Sequence, residues 1–243
     1  KRTKAILVVH MFGHPAEMET IKKISRENNL YLVEDAAEAH GAIYKKKRVG
    51  SFGDLSCFSF YANKIITTGE GGMVTSNRID LVKRVAFLKN QGVSSTIEYW
   101  HDEVGFNYRM TNICAAIGLA QLERAKQILK KKRSIMNWYS MYLQGTDIKF
   151  QHVDYRSTSS YWMVAVLALT KAKRDGLRDY LKSNAIETRP MFFPVHKMPA
   201  FYSNNSFPVA ERLSRRGLYL PSYPDLSKKD VEIICNLIRG YLN

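Results

Sequence analysis

Short apolar strands alternate with turns and helices from the start of this chain. Residues 6–9 form an apolar β run, and residues 13–15 (GHP) open a helix with proline near its first turn. Residues 30–33 are the next buried strand, and Glu34 and Asp35 follow it. Open α/β sheets bind ligands at the carboxyl ends of their strands, so the alternation predicts an α/β domain with a candidate site near these carboxylates.

The pattern of elements changes near residue 145, which predicts a second domain. Before that point we expect strands at 55–60 and 72–76, a helix at 78–89 and a long bridging helix at 112–143. After it we expect strands at 161–169 and 187–192, and helices at 171–184, at 208–216 and from 228 onward. The predicted domains are a large α/β domain over residues 1–125 and a small α+β domain over residues 146–243.

The composition, 45% hydrophobic and 24% charged, is typical of a globular protein. No apolar run approaches the roughly 20 residues that cross a bilayer, and no signal-peptide pattern precedes the first strand, so we expect no membrane partner and a cytoplasmic location. The three distant cysteines, Cys57, Cys114 and Cys235, fit neither a disulfide framework nor a zinc site. We expect them to be buried, reduced thiols.

A net charge of +15 raises the possibility of a nucleic-acid partner. The basic clusters at 45–48 (KKKR) and 130–133 (KKKR), however, are short, separated by mixed sequence and accompanied by no nucleic-acid-binding motif. We therefore expect no nucleic-acid partner, and interpret the clusters as solvated turn and helix surface. The positive field would still favour small phosphate-bearing ligands.

Residues 58–73 (FSFYANKIITTGEGGM) place one lysine between an apolar strand and a glycine-rich turn. The neighbours of Lys64 are apolar or small, and the glycines allow the backbone to approach a bound group closely. Partial desolvation lowers the pKa of a lysine and exposes a nucleophilic amine. Lys64 is therefore a candidate for Schiff-base formation, and the alternative is an ordinary loop lysine.

Asp35 and Ser59 extend this candidate site. Asp35 ends a strand 29 residues before Lys64, and Ser59 lies five residues before Lys64 on one strand. Pyridoxal phosphate chemistry uses a lysine to hold the cofactor and a carboxylate to keep the pyridine nitrogen protonated. The Ser59 hydroxyl could bind the phosphate. Taken singly, Asp35 could instead cap a helix and Ser59 could be an ordinary strand residue.

Five motifs resemble the DegT/DnrJ/EryC1/StrS family of pyridoxal-phosphate sugar aminotransferases. They are EDAAEAHGA (34–42), GSFGD (50–54), FSFYANK (58–64), TTGEGGM (67–73) and GFNYRMTN (105–112). The resemblance extends over essentially the whole chain and implies a fold-type-I pyridoxal-phosphate-dependent aminotransferase. Further segments point to the branch of the family that acts on GDP-linked sugars; they are YWM (161–163), IETRP (186–190), PVHKMP (194–199) and FPVAERL (207–213).

The resemblance implies roles for individual residues. Lys64 is expected to form the Schiff base and to move a proton between the cofactor C4′ and the sugar C4. Asp35 is expected to pair with the pyridine nitrogen and Ser59 with the phosphate. Glu38 stands where many members have a glutamine near the cofactor's phenolic oxygen, and a carboxylate there repels a phenolate unless one of them is protonated. Asn107 matches an asparagine that reaches the phosphate of the partner subunit in a dimer.

The remaining candidates have simpler alternatives. Arg109 and His196 are candidates for substrate contact, but a structural salt bridge and turn packing explain them as well. The six histidines show no metal-ligand spacing, so no metal is expected. We expect Tyr161 and Trp162 in the core of the small domain, and the alternative is a platform for the sugar. Related sugar dehydratases carry a histidine where Lys64 stands, so the lysine favours amino transfer.

The implied reaction moves an amino group from L-glutamate to the C4 ketone of a nucleotide-linked 4-keto-6-deoxyhexose. The preferred substrate is GDP-4-keto-6-deoxymannose, giving GDP-perosamine for O-antigen or another surface polysaccharide, and the expected assembly is a homodimer or higher homo-oligomer. The family pattern normally has roughly a hundred or more residues ahead of this start, so the large domain is expected to be incomplete at its N-terminus. The alternative function is a non-catalytic remnant, or pseudo-enzyme subunit, of the same fold.

Overall fold

The computed structural model describes residues 2–242, and its internal contacts divide them into two compact units. The first unit comprises the residues up to Leu129 together with Val153–Trp162, and the second comprises Lys130–His152 and the residues from Met163 onward. The domain limits 1–125 and 146–243 stay a prediction. The units differ from them chiefly at 153–162, which joins the first unit because Ser157–Thr158 pairs with Ile43–Tyr44.

Regular elements alternate along the first half of the chain. They are β1 (Ala5–Val9), α1 (Met18–Glu27), β2 (Tyr31–Asp35), β3 (Ile43–Tyr44), β4 (Lys47–Arg48), β5 (Leu55–Ser59), β6 (Gly72–Thr75), α2 (Ile79–Lys89) and α3 (Asn112–Glu123). The second half contains α4 (Ala125–Tyr142), β7 (Lys149–Phe150), β8 (Ser157–Thr158), β9 (Val164–Leu167), α5 (Lys171–Ser183), β10 (Arg189–Pro190), α6 (Pro208–Arg216), β11 (Gly217–Leu220) and α7 (Lys228–Leu242).

The main sheet of the first unit has the strand order β1-β2-β5-β6. The pairs β1–β2 and β2–β5 are parallel, whereas β5–β6 is antiparallel. One face is buried through Val8, Leu32 and Ser56, and Met18 of α1 packs into the same core. The opposite face exposes apolar side chains, among them Leu7 (65% exposed) and Val74 (41% exposed). Because successive strand residues point to opposite faces, this sheet is covered on one side only within the described residues.

The second unit is built on an antiparallel sheet with the order β10-β11-β9-β7. All residues of β11 are buried, and Leu177 of α5 and Ile238 of α7 are fully buried. The helices therefore bury their apolar stripes in the core that contains this sheet, which is an α+β arrangement.

The structure corrects several predicted elements. The helix expected over 112–143 is two helices, because Arg124 ends α3 and its N–H donates to the carbonyls of Gln121 and Leu122. The strand expected over 161–169 is limited to β9, and the one expected over 187–192 is limited to β10. The basic cluster at 45–48 is exposed, as expected, and forms a tight hairpin, β3–β4. The cluster at 130–133 lies on α4, but Lys132 is buried rather than solvated. β11 was not predicted.

The cysteines are unpaired, but their burial differs from the prediction. Cys235 is buried and Cys114 is half-buried, whereas Cys57 is exposed because it lies on the uncovered face of β5. Within residues 2–242, no group of His, Cys, Asp and Glu side chains could hold a metal ion. None of the described helices is both long enough and apolar enough to span a bilayer.

Candidate active site

The lysine loop is closed by hydrogen bonds at its two ends. The Phe60 N–H donates to the Gly71 carbonyl, and the Thr68 N–H donates to the Phe60 carbonyl. A Cβ at Gly71 would lie 2.5 Å from the Thr68 hydroxyl, and Gly71 has a φ of 155°. A side chain at Gly71 would therefore disturb the closure of the loop that carries Lys64.

Lys64 is held between an aromatic ring and a carboxylate. Its Nζ lies 3.9 Å from the centre of the Trp162 ring and 3.9 Å from Glu38 Oε1. The side chain is only 12% exposed. Burial lowers the pKa of Lys64 below its ordinary value, and the Glu38 and Asp35 charges offset this only in part. The amine is therefore partly desolvated, as the sequence predicted.

Trp162 is a functional candidate that sequence reasoning placed elsewhere. It belongs to the first unit, where its indole Nε1 donates to the Asn63 carbonyl at 2.8 Å. This bond fixes the ring beneath Lys64, one residue beyond Asn63. A cation above an indole face is stabilised by the ring quadrupole. No sequence pattern signals this contact, because nearly a hundred residues separate the two partners.

Glu38 faces the same amine from the segment that follows β2. Its Oε2 accepts a hydrogen bond from the Phe12 N–H at 2.7 Å, which leaves Oε1 toward Lys64. Burial raises the pKa of Glu38 above its ordinary value, although the Phe12 N–H and Lys64 act in the opposite direction. The pair therefore has a carboxylate that gains protons easily beside an amine that loses them easily.

Asp35 ends β2 at the carboxyl edge of the parallel strands. Its Oδ1 accepts a hydrogen bond from the Ala37 N–H at 3.0 Å. Its electrostatic effect reaches both Lys64 and Glu38. The sequence therefore identified three acidic or basic groups that the fold brings together.

His40 is a buried histidine that the sequence did not single out. It is 5% exposed, and its ring lies against Phe58 and Phe60. Neither ring nitrogen forms a hydrogen bond of normal geometry within the described chain. Burial, with a smaller effect of the Lys64 charge, lowers the pKa of His40 to about 4, although the Ser59 backbone acts in the opposite direction. His40 is therefore neutral near pH 7.

Ser59 ends β5, and its Oγ accepts a hydrogen bond from the Tyr61 N–H at 3.2 Å. The hydroxyl proton remains available for a bound group. Asn107 and Arg109 are exposed, and no hydrogen bond or ion pair of the described residues joins them to Lys64. His196 lies in the second unit, where its Nε2 is 3.0 Å from Glu211 and its ring packs on Phe207. The roles of these four residues stay predictions.

Glu34 is the structural support of the site, and sequence reasoning did not assign it this function. It is fully buried, and its carboxylate accepts hydrogen bonds from the N–H groups of Gly50, Phe52 and Gly53 and from the Ser56 hydroxyl. Burial opposes ionisation, but these bonds and one from His10 lower the pKa of Glu34 to about 2.

His10 completes this network as a neutral ring. Its Nδ1 accepts a hydrogen bond from the Ala16 N–H, so the proton lies on Nε2, which donates to Glu34 at 3.1 Å. Three segments of the chain are thereby tied to the residue that precedes Asp35. The charged end of β2 is held in place from beneath the sheet.

The residues around Lys64 fit pyridoxal phosphate. The cofactor needs an amine for its aldehyde, a carboxylate for its ring nitrogen and donors for its phosphate. Lys64 supplies a partly desolvated amine, Asp35 a carboxylate with one oxygen engaged, and Ser59 a hydroxyl donor.

Comparisons with known proteins agree with this assignment. GDP-perosamine synthase of Escherichia coli O157:H7 is 48% identical over 99% of this chain and 66% of that protein. GDP-perosamine synthase of Vibrio cholerae is 44% identical over 100% of this chain and 68% of that protein. The chain therefore spans about two thirds of the length of the curated relatives that it matches.

Solved structures confirm the predicted fold class. The aminotransferase TlmJ from Streptoalloteichus hindustanus has a TM-score of 0.93 at 30% identity, covering 99% of this chain and 66% of TlmJ. DesV from S. venezuelae, solved in complex with a ketimine intermediate, has a TM-score of 0.92 at 30% identity, covering 100% of this chain and 66% of DesV.

The family assignment rests on nearly all of the sequence. The pattern of the DegT/DnrJ/EryC1/StrS aminotransferases matches residues 1–239, and the aminotransferases of that family depend on pyridoxal phosphate. The match includes every motif around Lys64, Glu38 and Asp35. The chain belongs to the DegT/DnrJ/EryC1/StrS aminotransferase family.

Proposed function

We propose that this chain carries the lysine site of a pyridoxal-phosphate-dependent nucleotide-sugar aminotransferase. The proposed donor is L-glutamate, and the proposed acceptor is the C4 ketone of GDP-4-keto-6-deoxymannose, with GDP-perosamine as product. The observation that carries the proposal is Lys64, a desolvated amine held 3.9 Å from both Trp162 and Glu38 beside the strand end at Asp35. The relatives named GDP-perosamine synthase support the choice of sugar.

Three residues would hold the cofactor. Lys64 would bind its aldehyde carbon, Asp35 would keep a proton on its pyridine nitrogen, and the Ser59 hydroxyl would donate to its phosphate. When bound, pyridoxal phosphate supplies an electron sink for the carbon that loses or gains the amino group. Glu34 contributes indirectly, because its hydrogen bonds fix the end of the strand that carries Asp35.

The proton transfer would be carried out by Lys64. Its lowered pKa increases the fraction of neutral amine, which would move a proton between the cofactor C4′ and the sugar C4. Trp162 and Glu38 would orient Nζ for this transfer, and burial of the pair would limit competing proton exchange with water. Glu38 would contact the phenolic oxygen of the cofactor, sharing one proton with it.

The first test is cofactor attachment. Incubation with pyridoxal phosphate should produce a visible absorbance band that L-glutamate changes, and borohydride should fix the label on the peptide containing Lys64. Lys64→Ala should lose band and label, whereas Lys83→Ala, on the exposed surface of α2, should keep both. An unchanged band in Lys64→Ala would show that another residue holds the cofactor.

The second test is turnover. The chain is incubated with L-glutamate and GDP-, dTDP- or UDP-linked 4-keto sugars, and products are identified by mass. We expect the amino sugar from the GDP-linked substrate. Cofactor attachment without turnover on any substrate would favour the alternative, a non-catalytic remnant of the fold, and full turnover would eliminate that alternative.

We further propose that Asn107 acts on the phosphate in a partner subunit, with Arg109 and His196 as candidate substrate contacts. The exposure of Asn107 supports this, since an exposed amide is available to a second chain.

The proposed state is a homodimer or higher homo-oligomer in the cytoplasm. Mass determination by light scattering, combined with Asn107→Ala, tests the shared site: the variant should still assemble but bind cofactor more weakly.

A further inference from the structure

A basic cavity lies in the first unit beside α1, and none of its lining residues belongs to the cluster around Lys64. It has a volume of about 540 Å³ and is formed by α1, the β3–β4 hairpin and Phe52. Two of its lining side chains are buried: Met18 is fully buried, and Tyr44 is 2% exposed with its ring edge against Phe52. The cavity thus has an apolar floor and charged walls.

The charges of the walls do not balance. Five cationic side chains and two carboxylates line the cavity. Glu19 pairs with Lys45, and Glu27 lies 3.8 Å from Lys23. The three cations left over are Lys22, Arg26 and Lys47, and none of them forms an ion pair with a described residue. Among the side chains that line the cavity, cations therefore outnumber carboxylates by three.

The fold forces these three cations together. Lys22 and Arg26 are four residues apart on α1, so they lie on one face of the helix, where like charges repel. Lys47 is placed by the hairpin, and its Nζ lies 4.8 Å above the Phe52 ring. Burial, followed by repulsion from Arg26 and Lys47, lowers the pKa of Lys22, although the charges of Glu34 and Asp54 offset this in part. An anion in the cavity would relieve this repulsion.

We propose that this cavity is a second binding site, separate from the lysine site, for a small diphosphate ester. A diphosphate carries two to three negative charges, about the excess of the cavity, and the guanidinium fork of Arg26 suits phosphate oxygens. The volume of about 540 Å³ also leaves room for an organic group beyond the phosphates. Phe52 and Tyr44 offer that group an apolar wall. This inference goes beyond the proposed function and does not depend on it.

The test uses the cofactor-free full chain, with GDP, inorganic pyrophosphate and guanosine as separate titrants in a calorimeter at low salt. The variant Lys22→Gln/Lys47→Gln removes two of the unpaired cations. The matched control Lys83→Gln/Lys89→Gln removes the same charge from the exposed surface of α2. Because both doubles have the same net charge, their difference reports the cavity and not the general field of the protein.

We expect GDP and pyrophosphate to bind the parent chain and the control with similar affinity, and guanosine to bind neither. The cavity double should bind both diphosphates about a hundredfold more weakly, since each charge-assisted contact is worth roughly tenfold in affinity. Arg26→Gln, a third variant, should weaken binding about tenfold. Tighter binding of GDP than of pyrophosphate would indicate that the organic group is also recognised.

Two results would overturn the proposal. One is that the cavity double and the control double bind diphosphate with equal affinity, whether both match the parent or both bind more weakly. The other is that the parent shows no saturable binding up to about 10 mM diphosphate. Lys64→Ala separates this site from the proposed catalytic site. Diphosphate binding should be unchanged in that variant, even though cofactor attachment is lost.

Discussion

Lys64 and Glu38 form a pair in which the charge of each residue shifts the pKa of the other. Burial lowers the pKa of the amine and raises that of the acid, while their mutual attraction across 3.9 Å opposes both shifts. Removing the carboxylate charge therefore removes a contribution that raises the pKa of Lys64. The amine should then be neutral over a wider pH range.

Glu38→Gln tests this coupling. The amide keeps the size of the side chain, so the Phe12 N–H retains an oxygen acceptor while Lys64 loses its counter-charge. We expect reductive labelling of Lys64 by pyridoxal to be several-fold faster near pH 7, and its pH midpoint to move downward. Glu70→Gln, an exposed change in the same loop, is the control. An unchanged midpoint in Glu38→Gln would mean that the two side chains are not coupled.

Glu34 acts at the residue scale on stability. Its pKa of about 2 lies below the ordinary value of 4.5, so the unfolded chain binds more protons in that range. The stabilisation, about 3 kcal/mol, is therefore fully present above about pH 4.5 and is lost as the pH falls toward 2. In Glu34→Gln the free energy of unfolding near pH 7 should fall by about 2–4 kcal/mol, because the amide nitrogen cannot accept the hydrogen bonds of the turn. The variant should therefore unfold at a lower urea concentration.

The pH dependence separates the charge of Glu34 from simple packing. Urea unfolding is measured near pH 7 and near pH 3 for the parent, Glu34→Gln and the exposed control Glu70→Gln. The parent and the control should lose stability more steeply with acid than Glu34→Gln. Parallel loss in all three proteins would contradict the assignment of the network to an ionised Glu34.

At the scale of elements, α4 contains a buried ammonium group. Lys132 is 6% exposed, and its Nζ donates to the carbonyl and the hydroxyl of Ser222. Burial lowers the pKa of Lys132 to about 7 from 10.5. Because the unfolded chain binds more protons between these values, this group makes stability rise with pH from about 7 to about 10.5.

Lys132→Met should remove that rise. Between about pH 7 and about pH 9, the free energy of unfolding of the parent, measured with urea, should rise by about 2 kcal/mol more than that of Lys132→Met. Lys130→Met changes an exposed lysine two residues away on the same helix and should behave like the parent. Identical pH profiles for Lys132→Met and the parent would show that the ammonium is not held in its buried position.

Elements whose ends are marked by nearby residues were predicted from the sequence, and elements without such markers were missed. α6 and the start of α7 agree with the prediction, because Pro208 and Ser227 mark their first turns in the sequence. The break at Arg124 was missed because no glycine or proline interrupts the helical periodicity there. β11 was missed because its apolar run, residues 218–220, is very short and follows α6 directly, with Gly217 both capping the helix and starting the strand.

The residues of the site likewise divide into those with a local sequence signal and those without one. Lys64, Asp35 and Ser59 were predicted because each follows or ends an apolar strand, and strand ends converge in an α/β sheet. Trp162 was misplaced because its contact with Lys64 depends on the return of residues 153–162 to the first unit. The Glu34 network was missed because its partners are mostly backbone N–H groups, which no side-chain pattern reveals.

At the scale of the whole molecule, the first unit exposes more apolar surface than a parallel sheet normally does. Parallel strands are usually covered on both faces, yet Leu7 and Val9 of the parallel strand β1 are 65% and 39% exposed. α3 is strongly apolar and has no buried residue, with Ile113 76% and Leu119 60% exposed. Exposed apolar surface of this extent favours association in water.

We therefore expect the purified chain to self-associate. Light scattering should show a mass that rises with concentration, and the dye ANS should fluoresce strongly in its presence. Leu7→Gln/Leu119→Gln should lower both signals because it places polar groups on the sheet face and on α3, whereas Leu169→Gln, an exposed change in the second unit, should leave them unchanged. If the parent chain stays monomeric and does not increase ANS fluorescence, these faces are covered in solution by its own residues.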